Sequence, residues 1–397
     1  MALDDEARAL ARELSELRHA LHREPEIGLH LPATQEKVLA ALDGLPLDIT
    51  QGRKLSSVTA VLRGDRPGPA VLLRGDMDAL PVTERTGLPY ASRNHGVMHA
   101  CGHDLHTAML AGAARLLCAR QADLAGDVVF MFQPGEEGYA GARLMIEEGA
   151  LEAAGERPVA AYALHVASSV LACGIFETRP GPVLAAADRV QVTVRGRGGH
   201  ASRPHTAADP IPAACEMVTA LQTMVTRRFD VFDPIVITVG SFHAGTADNI
   251  IPDEATFLAT IRSFTPGSRA RVQEATVNLV RDIAAAYGLT ATAELDEGYP
   301  VTVNDNAHAE FAEQTAIGLF GHERFAPQVN PMTGAEDFSF VLEEVPGAFV
   351  FLGACPPGRD PETAPYNHSA EAVFDDSVLS DGSALYAELA LRRLAAS

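Results

Sequence analysis

RVQVTV, Arg189 to Val194, alternates polar and apolar side chains at the two-residue period of a strand with one buried face. Reading outward from it, Asp209 to Thr226 has a helical pattern, and Ile235 to Phe242 and Ala255 to Ser263 read as strands. Ser268 to Tyr287 is again helical, and Thr290 to Asp296 is a last strand. The order β-α-β-β-α-β is that of a split, ferredoxin-like α+β unit, and its length suits a separate small domain. Pro180 and Pro182 lie before it and Pro300 after it. The expected organisation is therefore a first domain made of residues 1–186 and 299–397, interrupted by an inserted domain at 187–298.

The flanking sequence has a different texture. Ala7, Leu10, Leu14, Leu17 and Leu21 fall at helical spacing within residues 5–22, and Pro25 ends that pattern. Val58 to Leu62, Ala70 to Leu73 and Asp127 to Phe132 read as strands, with a buried helix at Thr107 to Leu117 between the last two. Strand and helix patterns in alternation predict an α/β domain with a mixed sheet covered by helices and functional loops at strand ends. The apolar run Val159 to Phe176 carries His165 and Gly174, and reads as two buried strands rather than a membrane span.

Composition excludes several functions. The 397 residues hold 31 Lys and Arg against 52 Asp and Glu, a net charge of −21 without a basic cluster, so phosphate backbones and anionic lipid would be repelled. Lys37 and Lys54 are the only lysines, and neither lies in a Gly-rich phosphate loop. Five cysteines without short-spaced pairing predict reduced thiols. Met1 to Leu14 is acidic and helix-forming, unlike a signal peptide, so the cytoplasm is the expected compartment.

The chemistry is concentrated in loops. LLRGDMDALP, Leu72 to Pro81, ends a buried strand with Asp76 and Asp78 on one side, either as ligands or their orienting partners, or as a solvated acidic turn. In HACGHDLH, His99 to His106, a glycine separates Cys101 from His103 and lets both aim at one point. Thiolate and imidazole suit Zn²⁺ and related metals, whereas a Cys101 nucleophile with His103 as its base would need its thiolate stabilised against Asp76, Asp78 and Asp104. His99 and His106 read as structural or orienting residues. FQPGEEG, Phe132 to Gly138, sets Glu136 beside Glu137 after a strand, where a cation would relieve their repulsion and one could act as a general base. His165, in ALHV, and His368, in YNHS, carry weight only collectively, since a lone histidine among apolar residues is usually a core residue. In the insert, RGRGGHAS and GTADNIIPDEA are Gly-rich, polar strand ends. Arg262, in TIRSF, is either a buried group awaiting an anion such as a carboxylate or an edge-strand arginine in solvent.

From LHREPEIGLH at Leu21 through GDMDALP, HACGHDLHTAML, FQPGEEGYAGARLMIEEG, GRGGHAS, ADNIIPDEA, MTGAEDFSF and NHS, the chain resembles end to end the M20 metallopeptidase family. Within it, the likeness is to the amidohydrolase branch of hippurate hydrolases, N-acyl-amino-acid deacylases and auxin-conjugate hydrolases. The resemblance implies two divalent metal ions (Mn²⁺, Zn²⁺, Ni²⁺ or Co²⁺) held by Cys101, His103, Glu137, His165 and His368, with Glu136 as catalytic base and Asp78 orienting the ligands. A histidine of the wider family is replaced here by Asp76, so Asp76 is also expected to support rather than bind. The resemblance further implies a homodimer or higher homo-oligomer formed through the insert, in which His200 and Asn249 reach a neighbouring subunit's active site and Arg262 holds the substrate carboxylate, while Arg203, in HASRPH, either adds positive charge near that pocket or is a surface residue. The expected reaction is hydrolysis of N-acyl amino acids. Dipeptidase or aminopeptidase activity, or non-catalytic binding of acylated amino acids, are the alternatives.

Overall fold

The computed structural model describes residues 3–396; Met1 and Ala2, which open the acidic stretch read as helix-forming, and Ser397 lie outside the described residues. The chain divides into two compact units, one of Met1–Val183, Val303–Asn330 and Asp337–Ser397, the other of Leu184–Thr302 and Pro331–Glu336.

The first unit is built on an eight-stranded mixed sheet. Its early strands are β1 (Leu47–Gln51), β2 (Val58–Leu62), β3 (Arg66–Asp76), β4 (Ala125–Gln133), β5 (Ala160–Ala167) and β6 (Phe176–Thr178). The order from edge to edge is β1, β2, β4, β3, β5, then Gly347–Gly353, β6 and Phe325–Pro327. The four central strands, β4, β3, β5 and Gly347–Gly353, run parallel to one another. Burial on both faces explains their near-continuous apolar sequences, such as VVFMF in β4. Helices His103–Cys118 and Val378–Ala395 pack on each other and on β3, and their apolar residues join one core with the sheet. Beyond the last β3–β5 register pair, Arg74 with Ala163, the Tyr386 hydroxyl of the C-terminal helix stands between the strands. It donates to Arg74 O (2.6 Å) and accepts Leu164 N–H (2.8 Å).

Two sequence expectations change in this unit. The opening helix is divided into Leu3–Ala9 and Ala11–Arg23, because the Leu10 N–H closes a tight turn on Ala7 O, three residues back. The run Val159 to Phe176 holds one full strand, Ala160–Ala167, and only the first residue of the next, Phe176–Thr178. Between them Ser168 bonds to the 365–367 loop, and Val170 and Gly174 adopt positive φ, so the backbone leaves the sheet. Among the described residues no helix is long and apolar enough to cross a membrane.

The second unit is the ferredoxin-like α+β arrangement. Strands Ile235–Ala244, Glu254–Ser263, Ala186–Arg195 and Thr290–Tyr299 lie in that order, all antiparallel. Val190, Val192 and Val194 face helices Pro210–Arg228 and Pro266–Ala286, while Arg189, Gln191 and Arg195 face away. Both helices begin with a side-chain cap: Asp209 accepts from Ile211 N–H, and Thr265 from Ser268 N–H.

Candidate metal centre

Strand β3 delivers Asp76 at its last position, and the next loop adds Asp78; both carboxylates are buried. The solvated-turn reading of this pair is thereby removed. Asp78 accepts the backbone N–H of Glu136 (2.9 Å) through one oxygen and that of Glu137 (3.0 Å) through the other. One carboxylate thus fixes the turn that presents both glutamates. Asp76 receives Arg74 Nη1 (2.6 Å) and His106 Nδ1 (2.5 Å). Burial alone would raise the Asp76 carboxyl, but Arg74, His103 and His106 hold it well below the usual carboxylate range.

His106 fills a linking position. Its Nε2 accepts the Val166 N–H (2.8 Å), so Nδ1 carries the proton given to Asp76, and the ring is neutral. Burial first, and then the nearby His103 and Arg74, lower its pKa, in keeping with that state. His165 Nδ1 lies 2.9 Å from Val166 O, which can only accept; its Nε2 is therefore unprotonated and faces Cys101 Sγ at 3.4 Å. Burial pushes the His165 pKa well down.

Gly102 separates Cys101 from His103 at φ +85°, and a Cβ there would lie 2.3 Å from Val166 Cγ2. Only glycine permits this turn, which starts helix His103–Cys118 and turns Cys101 and His103 toward the same centre. His368 occupies the left-handed region at φ 73°, with its N–H held by Ala100 O (2.8 Å). A non-glycine residue kept there marks a position imposed by its surroundings. Its Nε2 lies 3.2 Å from Glu137 Oε1, and hydrogen bonds to Cys101 and Glu137 push its pKa up to about 10.

The donor atoms form two overlapping groups, Cys101–His103–His165 and Cys101–Glu137–His368, each with its atoms within 4.8 Å of one another and sharing the Cys101 sulfur. His103, Glu136 and Glu137 form a third such group. The buried His103 ring leaves both nitrogens without a hydrogen bond among the described residues, an arrangement that costs free energy unless another group engages them. Thiolate, imidazole and carboxylate donors at these spacings fit two borderline divalent cations. Burial would lower the His103 pKa, but Asp76, Asp78 and Cys101 hold it well above its ordinary value.

All eight residues expected around the centre from the first domain (Asp76, Asp78, Cys101, His103, Glu136, Glu137, His165 and His368) converge in the first unit. His200, Asn249 and Arg262 belong to the second. There His200 pairs with Ile250, and Asn249 O accepts the Ala201 N–H (3.1 Å), so His200 and Asn249 share one exposed loop pair. His200 Nδ1 accepts the Ser202 N–H (3.2 Å), which leaves Nε2–H free to donate. Arg262 stands apart, half-buried on the face of the sheet away from the helices, in a strand paired on both sides. The edge-strand reading is therefore overturned, and burial and Arg189 lower the Arg262 pKa.

Sequence reasoning missed the support beneath the centre. Arg74, fully buried, joins Asp76, Gln133 (2.8 Å) and Asp337 (3.0 Å), and Asp337 also holds Gln133 and the Ala142 N–H. An arginine inside VLLRGD was a visible signal, the same one that drew attention to Arg262. Asp337 lies in MTGAEDFSF, a segment noted only for the family resemblance and without a role for this residue. Behind the HACGH turn, Asp104 accepts from Arg18 (3.0 Å) and pairs with His22 (2.8 Å), both from helix Ala11–Arg23.

The sequence profile of Peptidase family M20/M25/M40 matches residues 72–392. Thermostable carboxypeptidase 2 of Saccharolobus solfataricus is 34% identical over 395 residues, 98% of each chain. N-acetylcysteine deacetylase of Bacillus subtilis is 35% identical over 385 residues, 97% of each. Among solved structures, the Bacillus subtilis YXEP protein, described as a dinuclear metal binding peptidase from the M20 family, superposes with a TM-score of 0.84 at 32% identity, covering 98% of this chain and 99% of its own.

Proposed function

The chain belongs to peptidase family M20/M25/M40 and is a hydrolase of amide bonds, and we propose that it cleaves N-acyl amino acids to a carboxylic acid and a free amino acid. The observation that carries this reading is the Cys101 sulfur common to two donor groups, with Glu136 beside the Glu137 donor. Cys101, His103, Glu137, His165 and His368 would hold two divalent cations, drawn from Mn²⁺, Zn²⁺, Ni²⁺ and Co²⁺, while Asp76 and Asp78 orient His103 and the glutamate turn. When bound, such cations lower the pKa of water from 15.7 toward about 7 and offset charge on the attacked carbonyl.

Glu136, its backbone fixed by Asp78, takes the proton from the attacking water and delivers it to the leaving amine. His200, with Nδ1 occupied, donates Nε2–H to the oxyanion, and Asn249 on the same loop pair supports it. Arg262, which has no ion-pair partner among the described residues, receives the substrate carboxylate. We assign the second unit as a dimerisation and lid domain that brings His200 and Asn249 to a neighbouring subunit's centre, their exposure being the support. Five unpaired cysteines suit a reducing cytoplasm.

The test is turnover of N-acetyl, N-benzoyl and longer N-acyl amino acids, with dipeptides alongside, in enzyme supplied with each of the four metals. Metal-dependent release of free amino acid from the acylated series is expected. Exclusive turnover of dipeptides would move the assignment to peptides, as the likeness to a carboxypeptidase allows. Binding without turnover would make the protein a carrier.

A further inference from the structure

Asn367, between Tyr366 and His368, makes an unusual set of contacts for a neutral side chain. Its Oδ1 accepts the Ser168 N–H (2.9 Å) and lies 3.0 Å from the Ser168 hydroxyl, whose single proton it shares with Pro365 O (2.9 Å). Its Nδ2 donates to Val166 O (3.0 Å) and Cys101 O (3.2 Å) and lies 3.8 Å from Cys101 Sγ. The amide orientation follows from these partners: a backbone N–H requires the oxygen, and two backbone carbonyls require the NH₂ group. Nδ2 is therefore the atom facing sulfur. Two N–H groups serve three acceptors, so Cys101 O and Sγ share one of them.

This single side chain joins three of the segments that carry the donors. Val166 O, which it holds, also receives His165 Nδ1–H. Cys101 is gripped through both its carbonyl and its sulfur, and His368 follows directly, at its imposed φ of 73°. A hydrogen bond to a thiolate withdraws electron density from sulfur and restricts the direction of its lone pairs, and donors of this kind tune thiolate-bound metals.

We propose that Asn367 is a positioning residue of the metal centre, whose amide N–H directs the Cys101 thiolate and sets its strength as an electron donor. The inference rests on Cys101 being a ligand, and it assigns to Asn367 a part beyond fastening a loop.

The experiment uses the full chain loaded with Co²⁺, whose thiolate complexes absorb in the near ultraviolet through sulfur-to-metal charge transfer. Asn367→Leu keeps approximate bulk without donors, and Asn367→Ser is small and polar, so the two fail to fold for different reasons if they fail at all; circular dichroism checks each. Removing the N–H should enrich the sulfur in electrons. The charge-transfer band is then expected at lower energy in the folded variants, with Co²⁺ affinity reduced by about 10–100-fold. Ser168→Ala, which removes one bond to Oδ1 and leaves the N–H donors in place, is expected to keep the wild-type band energy. Folded Asn367 variants with an unmoved band and affinity within about twofold of wild type would overturn the proposal while leaving thiolate ligation intact. Absence of the band from wild type would overturn the ligation and this inference together.

Discussion

The donor cluster of the first unit and the residues of interest in the second are held in different ways. Around Cys101 and His103, the carboxylates Asp76 and Asp78 are buried and the supporting groups are fixed by more than one partner, Asp78 by two backbone N–H groups, Asp76 by Arg74 and His106, and Asn367 by three segments, while His368 stands more exposed at the rim. In the second unit the His200 ring is exposed and bonds to Ser202, Asn249 is exposed, and Arg262 has no ion-pair partner among the described residues. The contrast separates two tasks. Groups that take part in bond breaking must stand in place before the substrate arrives, because reorganisation during reaction adds to the barrier. Groups that recognise a varied ligand keep unsatisfied hydrogen-bonding capacity and complete it on binding.

If that division holds, damage to the first unit and to His200, the oxyanion donor, should appear in kcat, and damage to Arg262 in KM. The largest effect is expected for Glu136→Gln, which should lower kcat by about 10²–10⁴-fold while metal analysis finds the cations retained and KM little changed. Near wild-type turnover in that variant would remove Glu136 as the base and the contrast with it. Arg262→Met should raise KM for substrates with a free carboxylate, lowering kcat/KM by about 10–100-fold, the worth of one charge-assisted hydrogen bond, with kcat and metal content preserved. A fall in kcat alone would place Arg262 among the chemical groups instead.

A third test concerns the buried support. Burial would depress His22, but Asp104 and Glu84 push its pKa from 6.5 up to about 9. A pKa raised on folding stabilises the protein fully below pH 6.5, and that contribution is lost as pH climbs through about 9. Wild-type Tm should therefore fall across this window, by an amount corresponding to roughly 3 kcal/mol, and His22→Gln should flatten the profile. An unchanged profile in the variant would show that the Arg18–Asp104–His22 cluster contributes no such linkage. The smallest effect is expected in the second unit, where Thr265→Ala removes the cap of helix Pro266–Ala286 and should cost about 1 kcal/mol in denaturant unfolding without altering kcat.

The strongly periodic parts of the fold were legible in the sequence. Val190, Val192 and Val194 declared a half-buried strand, and the apolar runs of β3 and β4 declared strands covered on both faces. The break at Leu10 was not legible, since nothing in LARE separates one helix from two. Nor was the irregular course of 168–175, which depends on Ser168 finding Asn367 199 residues away. The same asymmetry applies to the site. Cys101, His103 and the glutamate pair announce themselves through glycine-flanked spacing, whereas Asp337 reaches Arg74 from 263 residues away, and nothing in MTGAEDFSF points to that partner. Long-range hydrogen-bond partners leave no local signature, and the contribution of Asn367 emerges only when three distant segments meet.

The Tyr386 hydroxyl, which stands between Arg74 and Leu164, has a consequence for how the molecule is made. Chains emerge from the ribosome amino end first, and this tyrosine lies in the final helix, Val378–Ala395. Until that helix is in place, the ends of β3 and β5 lack the bridge that sets their separation, so the strand ends that present Asp76 and His165 reach their final spacing only after a segment 222 residues beyond Leu164 has docked.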